Sequence, residues 1–168
     1  MKKLLLSLAL VAGLGFAASA QTEGAVRKLS IGGEVGLPTE SGSKDWLYVG
    51  GSLQYEHPVA KSLNLTGSAG YTALTYTGSG PSLSLGFIPL KAGAKYYFGG
   101  NFYGAGEVGA TISTENGGGT AFAFAPGLGA SFSVSDKSSL DFGLRYETWS
   151  NNGSSSFVGL RAAWAFGL

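Results

Sequence analysis

Apolar and polar residues alternate along most of the chain with the two-residue period of a β-strand. Successive side chains of a strand point to opposite faces, so each alternating segment has one apolar side and one polar side. Clusters of Gly, Ser, Asn, Pro and Asp, which are typical of turns, separate eight such segments. The predicted strands are residues 29–37, 46–56, 63–74, 83–98, 102–112, 121–132, 140–149 and 156–168.

The charged residues inside the predicted strands all fall on the polar side. They are Glu34, Glu56, Lys91, Lys95, Glu107, Asp141, Arg145, Glu147 and Arg161. The other side of the same strands carries Leu, Val, Ile, Ala, Phe, Tyr and Trp. The pattern therefore predicts a sheet with an ionic face and an apolar face.

The fourth predicted strand changes phase partway along its length. Leu85 and Phe87 share one parity, whereas Ile88 and Leu90 share the other, and Pro89 lies at the switch. A proline cannot donate a hydrogen bond to a neighbouring strand and is tolerated at edges or bulges. One extra residue at a bulge would restore a continuous apolar face, so the sequence predicts a bulge at residues 87–89.

Eight short antiparallel strands in a chain of this length fit two closed designs, a lipocalin-like soluble barrel and a transmembrane barrel. An eight-stranded barrel has room inside only for side chains or one small ligand. The bulky apolar face would overfill that interior, whereas the face rich in Gly, Ala and Ser fits it. The prediction is an all-β fold, an eight-stranded antiparallel up-and-down transmembrane β-barrel.

Aromatic residues of the apolar face are expected near the two ends of the strands. If odd strands ascend from the periplasm, one group lies near the periplasmic rim and the other near the outer rim, as aromatic belts do in a bilayer. The first group is Tyr55, Tyr96, Phe98, Phe102, Phe132, Trp164 and Phe166, and the second is Tyr71, Phe122, Phe124 and Tyr146. Trp46, Tyr76 and Trp149 near the outer rim are candidate contacts for lipopolysaccharide or a partner.

The amino-terminal residues have the layout of a secretory signal peptide. Lys2 and Lys3 precede an apolar run over 4–16, and Ala18-Ser19-Ala20 is a small-residue cleavage site. A membrane anchor is disfavoured because the run is short and contains glycines. The predicted organisation is a signal peptide over 1–20, a short amino-terminal segment over 21–28 and the barrel over 29–168.

Composition narrows the class of protein further. The 11 basic residues include Lys2 and Lys3, so the predicted mature chain has a slight acidic excess and no basic surplus for nucleic acid. The 29 glycines, which have no collagen period, are too many for a helical protein. No later stretch is long and apolar enough for a transmembrane helix, so strands would have to carry any membrane role.

Candidate chemistry is sparse. His57 is the only histidine, lies before Pro58 at a predicted strand end, and has no serine and carboxylate partner in one layer of the barrel. Cysteine is absent, and the carboxylates are interspersed with bases, so neither a metal site nor a cofactor is predicted. We expect the protein not to be an enzyme.

The charged residues of the polar face would share one narrow lumen. Five acids and four bases can nearly neutralise one another, and isolated burial of any one would be costly. The leading interpretation is an ionic network that fills the lumen of a barrel with a structural or surface-interaction role in the cell envelope. The alternatives are a narrow, porin-like passive channel for small solutes and, with the faces reversed, a soluble lipocalin-like carrier.

Several segments carry a resemblance to known barrels. They are GEVGLP at 33–38, IPLKAGAKYYF at 88–98 and LDFGLRY at 140–146. The chain resembles the small outer-membrane β-barrel families of the OmpX/Ail and OmpA-barrel size class, in a version found in Bacteroidetes. The resemblance covers residues 29–168 and implies delivery by the barrel-assembly machinery. We expect a monomer in the outer membrane of a Gram-negative cell, in contact with the lipids of that membrane. This class usually ends in Phe, whereas this chain ends Phe166-Gly167-Leu168.

Overall fold

A computed structural model describes residues 26–81 and 83–168. The predicted signal peptide and residues 21–25 lie outside this part of the chain. Eight strands form a closed barrel. They are β1 (Lys28–Pro38), β2 (Trp46–Ala60), β3 (Leu63–Tyr76), β4 (Ser84–Tyr97), β5 (Phe102–Ser113), β6 (Thr120–Ser135), β7 (Ser138–Ser150) and β8 (Ser154–Gly167).

Each strand pairs antiparallel with the next one in the chain, and β1 pairs with β8 to close the barrel. The closing ladder runs from Lys28 opposite Gly167 to Pro38 opposite Phe157. Short connections at 61–62, 98–101 and 136–137 share one end, called here the turn end. The connections 39–45, 77–83, 114–119 and 151–153 share the opposite, loop end. Closure leaves no unpaired strand edge, which a barrel in hydrocarbon requires.

The two faces of the sheet have the orientation that the alternation predicted for a membrane barrel. Phe124, Leu144 and Trp164 lie on the outside and are exposed. Lys95 points into the lumen and is only 3% exposed. A lipocalin-like carrier has the inverse arrangement, with apolar groups inside and ionic groups in water, so that alternative is not favoured.

The bulge predicted at residues 87–89 is wrong. The β3–β4 register is the same on both sides of Pro89, with Ala69 opposite Leu90 and Thr72 opposite Phe87. The β4–β5 ladder is continuous through Pro89. Alternation is regular there, so Phe87 points into the lumen, where it packs against other apolar side chains. The change of phase in the sequence reflects an apolar section of the lumen and not a distorted backbone.

A proline does mark an irregularity elsewhere. The pair His57-Pro58 was predicted to start a turn, but β2 continues to Ala60. Pro58 is opposite Asn64 and Ala60 is opposite Leu63, with a register shift between them. A second shift lies between Ser133 and Ser135 on β6. The irregular pairings therefore occur next to tight connections at the turn end, and barrel rims are a common place for bulges.

The part of the chain described here has no helix that is long and apolar enough to span a bilayer.

Candidate functional site: a closed ionic lumen

All nine charged residues of the predicted strands meet in the lumen. Each has an oppositely charged partner within 4.0 Å, and together they are called the lumen network. Its members are Glu34, Glu56, Lys91, Lys95, Glu107, Asp141, Arg145, Glu147 and Arg161. Alternation placed these side chains on one face, and closure of the sheet brought residues from distant strands into contact.

Nearer the turn end, Lys95 forms ion pairs with two carboxylates. Its Nζ lies 2.6 Å from Glu56 Oε1 and 3.1 Å from Asp141 Oδ2. The Tyr103 hydroxyl donates to Asp141 Oδ1 at 2.8 Å, and Asn64 Nδ2 donates to Glu56 Oε2 at 3.1 Å. These three charged residues form the turn-end cluster. The neutral donors bind the carboxylate oxygens that Lys95 does not contact. The buried charges are therefore both paired and hydrogen-bonded, as a low-dielectric site requires.

The central cluster contains the remaining charged residues of the network, linked by two arginines. Arg145 donates to Glu34 Oε2 and Glu147 Oε2, both at 2.6 Å. Lys91 Nζ lies 2.8 Å from the same Glu147 oxygen. Arg161 Nε lies 3.4 Å from Glu34 Oε1. The Lys91–Glu147 and Arg145–Glu34 pairs join strands that are not neighbours in the barrel, so these two pairs cross the lumen. The Arg161–Glu34 pair instead joins the neighbouring strands β8 and β1, where the two residues are directly opposite each other.

Glu107 is held mainly by neutral donors. Its Oε1 accepts hydrogen bonds from Gln54 Nε2 and Ser68 Oγ, each at 3.0 Å. Its other carboxylate oxygen lies 3.7 Å from Lys91 Nζ, which is a longer ion pair than those of Glu147 or Glu56. The acidic side chain that lacks a close cation is therefore stabilised by polar residues of β2 and β3.

The lumen contains a second, apolar layer toward the loop end. Tyr48 stacks on Phe157 with ring centroids 4.2 Å apart, and the Trp149 ring meets both edge-on at 5.3 Å. Leu74 and Phe87 pack against these rings. The rings of Tyr48, Trp149 and Phe157 are called here the aromatic cap. The Trp149 indole N–H donates to Glu147 Oε1 at 2.7 Å, and this hydrogen bond connects the aromatic cap to the central cluster.

Sequence reasoning did not identify the aromatic cap, although parity contained the signal. Tyr48 and Trp149 have the lumen-facing parity of their strands, and Phe157 shares the parity of Arg161. Trp149 was placed at the outer rim as a candidate surface contact, and this was wrong because the side chain is buried inside the barrel. Trp46 and Tyr76 do form a half-buried pair at the loop end, with centroids 5.3 Å apart.

Inward glycines do not leave the lumen open. The Phe157 ring covers Gly36 and Gly159, and a Cβ added at Gly36 would lie 2.7 Å from Phe157 Cδ2. The Tyr103 hydroxyl lies over Gly129 and Gly143 in the same way. Glycine on one strand therefore makes room for a large side chain from another, so the small residues on the lumen face help to fill the barrel.

The aromatic residues predicted to form belts all lie on the outside of the barrel and are 38–57% exposed. Those expected near the periplasmic rim lie toward the turn end of their strands, and the others lie toward the loop end. These residues are Tyr55, Tyr71, Tyr96, Phe98, Phe102, Phe122, Phe124, Phe132, Tyr146, Trp164 and Phe166. Their contact with lipid headgroups stays a prediction.

Reactive groups are scarce in the described ranges. His57 lies on β2 with its Nδ1 3.5 Å from the Tyr55 hydroxyl, at the long limit of a hydrogen bond. Within residues 26–81 and 83–168, no group of three His, Cys, Asp or Glu side chains is placed to hold a metal ion. The site is therefore best described as a packed ionic and aromatic lumen.

No protein-family model and no curated protein matches the sequence. Among solved structures, the chain is similar to Ail, the attachment invasion locus protein of Yersinia pestis, at 19% identity and a TM-score of 0.59 over 84% of this chain and 99% of that one. It is similar to Neisserial surface protein A at 16% identity and a TM-score of 0.64, over 87% and 100% of the two chains.

A third similar structure is the amino-terminal β-barrel domain of OprF from Pseudomonas aeruginosa, at 13% identity and a TM-score of 0.51 over 83% of this chain and 97% of that one. Similarities at identities this low show a shared fold and do not by themselves show a shared function. The resemblance to a Bacteroidetes version stays a prediction. The chain has the fold of the small, closed, eight-stranded β-barrels of bacterial outer membranes.

Proposed function

We propose that this protein is a monomeric integral barrel of a Gram-negative outer membrane, with a closed lumen and a structural or surface-interaction role in the envelope. The observation that carries the proposal is the cross-section of the lumen, where ion pairs between distant strands lie beneath a layer of stacked aromatic rings. The fold shared with known outer-membrane barrels supports the location.

The outer surface supports a bilayer environment. Large apolar side chains from every strand are exposed, among them Ile31, Leu53, Leu128, Leu144 and Leu160. Soluble monomers rarely expose a continuous apolar surface of this kind, whereas hydrocarbon accommodates it at no cost. The backbone groups of the strands are paired around the closed sheet, so no polar edge faces lipid.

The filled lumen favours the structural role over the passive channel. A solute moving along the axis would have to separate Lys91 from Glu147 and Arg145 from Glu34, and then displace the Tyr48 and Phe157 rings. Each step exposes a buried charge or an apolar surface, which costs several kcal/mol in order of magnitude. The connections at the loop end are short, so the barrel presents a compact surface there.

The expected protein partner is the barrel-assembly machinery, which would act during insertion into the membrane. The outward residues of β8 form an uninterrupted apolar row of Val158, Leu160, Ala162, Trp164 and Phe166. We propose that the barrel-assembly machinery recognises this strand. The lipids of the outer membrane are the expected solvent of the outer face, and no nucleic acid or cofactor is proposed.

Planar-bilayer recording tests the closed lumen. Purified protein is inserted into planar bilayers, with a large porin as the positive control for insertion and recording. We expect no conductance steps of reproducible size from the wild-type barrel, because network and cap both cross the axis. Reproducible steps would overturn the closed lumen and establish the channel. Protein that stays in solution without detergent would overturn the membrane location and support the carrier.

A further inference from the structure

The lumen contains a small cavity of about 50 Å³ between the two charged clusters. Its walls include Gln54, Thr66, Ala105 and Ala125 together with charged members of both clusters, Asp141 and Arg161. The cavity exists because Ala105 and Ala125 are too short to fill the space between the long side chains of the opposite strands. It therefore lies at the point where the lumen network changes from one cluster to the other.

Three buried side-chain atoms of residues that line this cavity have no hydrogen-bond partner among the described residues. They are Gln54 Oε1, Thr66 Oγ1 and Arg161 Nη1. The nearest carboxylate oxygen to Arg161 Nη1 in an ion pair is Asp141 Oδ1, at 3.8 Å, which is beyond hydrogen-bond length. Buried polar groups in folded proteins nearly always find a partner, and ordered water supplies it where protein does not.

The chemistry of the three atoms identifies the ligand. Arg161 Nη1 is a donor, Gln54 Oε1 is an acceptor, and the Thr66 hydroxyl is both, so the ligand must donate and accept. The charged side chains that line the cavity have both signs: Lys95, Arg145 and Arg161 are cations, and Glu107 and Asp141 are carboxylates. Each is already paired within the lumen network, so neither a cation nor an anion would find an uncompensated counter-charge there. Water is neutral and satisfies both kinds of atom. A buried water needs about 10–15 Å³ of cavity volume, so a cavity of about 50 Å³ has room for at least three.

We propose that this cavity is an internal water site, in which about three water molecules bond to Arg161, Gln54 and Thr66 and connect the turn-end cluster to the central cluster. The site is separate from the aromatic cap, whose rings do not line the cavity. The inference depends on the geometry of the lumen and not on the proposed envelope role, because a barrel of any function with this interior would contain the same unpaired atoms.

Two threonines provide a matched test by stability. Thr66 and Thr111 are both buried, and neither hydroxyl has a hydrogen-bond partner within residues 26–81 and 83–168, but only Thr66 lines the cavity. Thr66→Val should shift the folding equilibrium toward the unfolded state by about fivefold, the loss expected for one hydrogen bond. Thr111→Val should leave the equilibrium unchanged or favour folding, since it removes an unpaired hydroxyl. Urea unfolding in lipid vesicles measures both, and equal shifts would overturn the proposal.

Solid-state NMR of the full chain in lipid bilayers tests the site without any substitution. Magnetisation transferred from water should reach the Arg161 guanidinium and the Thr66 side chain, while the Phe157 ring in the aromatic cap receives none. Absence of transfer to Arg161 would overturn the water site. Transfer that also reaches Phe157 would overturn it as a discrete site, because the lumen would then be hydrated along its length. Conductance measurements in planar bilayers then distinguish a lumen that is hydrated along its length but conducts no ions from a lumen that is open.

Discussion

Lys95 illustrates how a single side chain supports several strands of this barrel. The residue belongs to β4, yet its Nζ contacts carboxylates of β2 and β7, and it lies 4.5 Å from the centroid of the Tyr103 ring on β5. A cation shared in this way offsets the desolvation of both carboxylates. Its removal leaves the Glu56 carboxylate without an ion-pair partner and leaves Asp141 only the more distant Arg161, at 3.8 Å.

Lys95→Met is therefore expected to lower the free energy of unfolding by about 3–5 kcal/mol, the range seen when one partner of a buried pair is removed. Equilibrium urea unfolding in lipid vesicles measures the change. Lys61→Met is the matched control, because Lys61 is exposed in the β2–β3 connection and should change stability by less than about 0.5 kcal/mol.

The triple variant Lys95→Met, Glu56→Gln, Asp141→Asn distinguishes loss of charge pairing from loss of packing. Neutralising both carboxylates should recover part of the stability that Lys95→Met removes, because no uncompensated charge then remains in the cluster. If the triple variant is no more stable than the single one, packing and not charge explains the role of Lys95.

At the scale of the element, β8 shows that the two faces of one strand meet different environments. Phe157 lies inside the lumen and is 2% exposed, whereas Phe166 lies outside and is 47% exposed. The inner ring fills a fixed space between Tyr48 and Trp149. The outer ring faces a fluid medium that adapts to its removal, so equal substitutions on this strand have unequal consequences.

Phe157→Ala is expected to reduce the free energy of unfolding by about 3–5 kcal/mol, as cavity formation in a packed interior does. Phe166→Ala on the same strand should cost clearly less, because lipid chains occupy the vacated volume. Unfolding of the two variants in identical vesicles gives the comparison. Equal losses would show that the aromatic cap is not a packed layer.

Two prolines show that the position of a proline in the sequence does not by itself predict a bulge or the end of a strand. Pro89 was expected to produce a bulge, and the strand is regular there, while Pro58 was expected to end a strand that continues past it. A proline restricts its own backbone but does not decide which side chains the opposite wall can accommodate. The phase change near Pro89 arose because the lumen accepts Phe87 beside Trp149, with centroids 4.9 Å apart.

For the whole molecule, the decisive property is the solvent of the outer face. The outward residues between the two groups of aromatic side chains are apolar on every strand, and the ionic residues are inside. This inversion is favourable only if the outside is hydrocarbon, because a charge placed in the midplane of a bilayer is costly. The hydrocarbon environment of the outer face can be tested with a charged substitution, because its cost depends on the depth of the residue in the membrane.

Leu144→Arg is expected to destabilise the barrel in lipid bilayers by about 2–4 kcal/mol, since Leu144 is outward near the middle of β7. Val134→Arg is the control near the turn end of β6, where the cost should be about 0–1 kcal/mol. Unfolding measured in vesicles gives both values. Equal and small effects would show that the outer face does not lie in hydrocarbon.

The sequence by itself determined the strands, their two faces and the side of the sheet on which each charged residue lies. These properties are local: alternation fixes the direction of a side chain from its neighbours in the chain, and the turn residues between strands are visible as Gly, Ser and Asn clusters. Eight strands and a shared face for Glu34, Lys95 and Arg145 followed from that pattern. The inward direction of that face followed from the small interior volume of an eight-stranded barrel.

Only the tertiary structure decided which residues meet across the lumen. The partner of Arg145 on β1, the stacking of Phe157 on Tyr48 and the water-sized space beside Arg161 all depend on how far each strand slides past the next before the barrel closes. Strand direction is encoded residue by residue, whereas contacts between opposite walls are set by the stagger of the whole closed sheet.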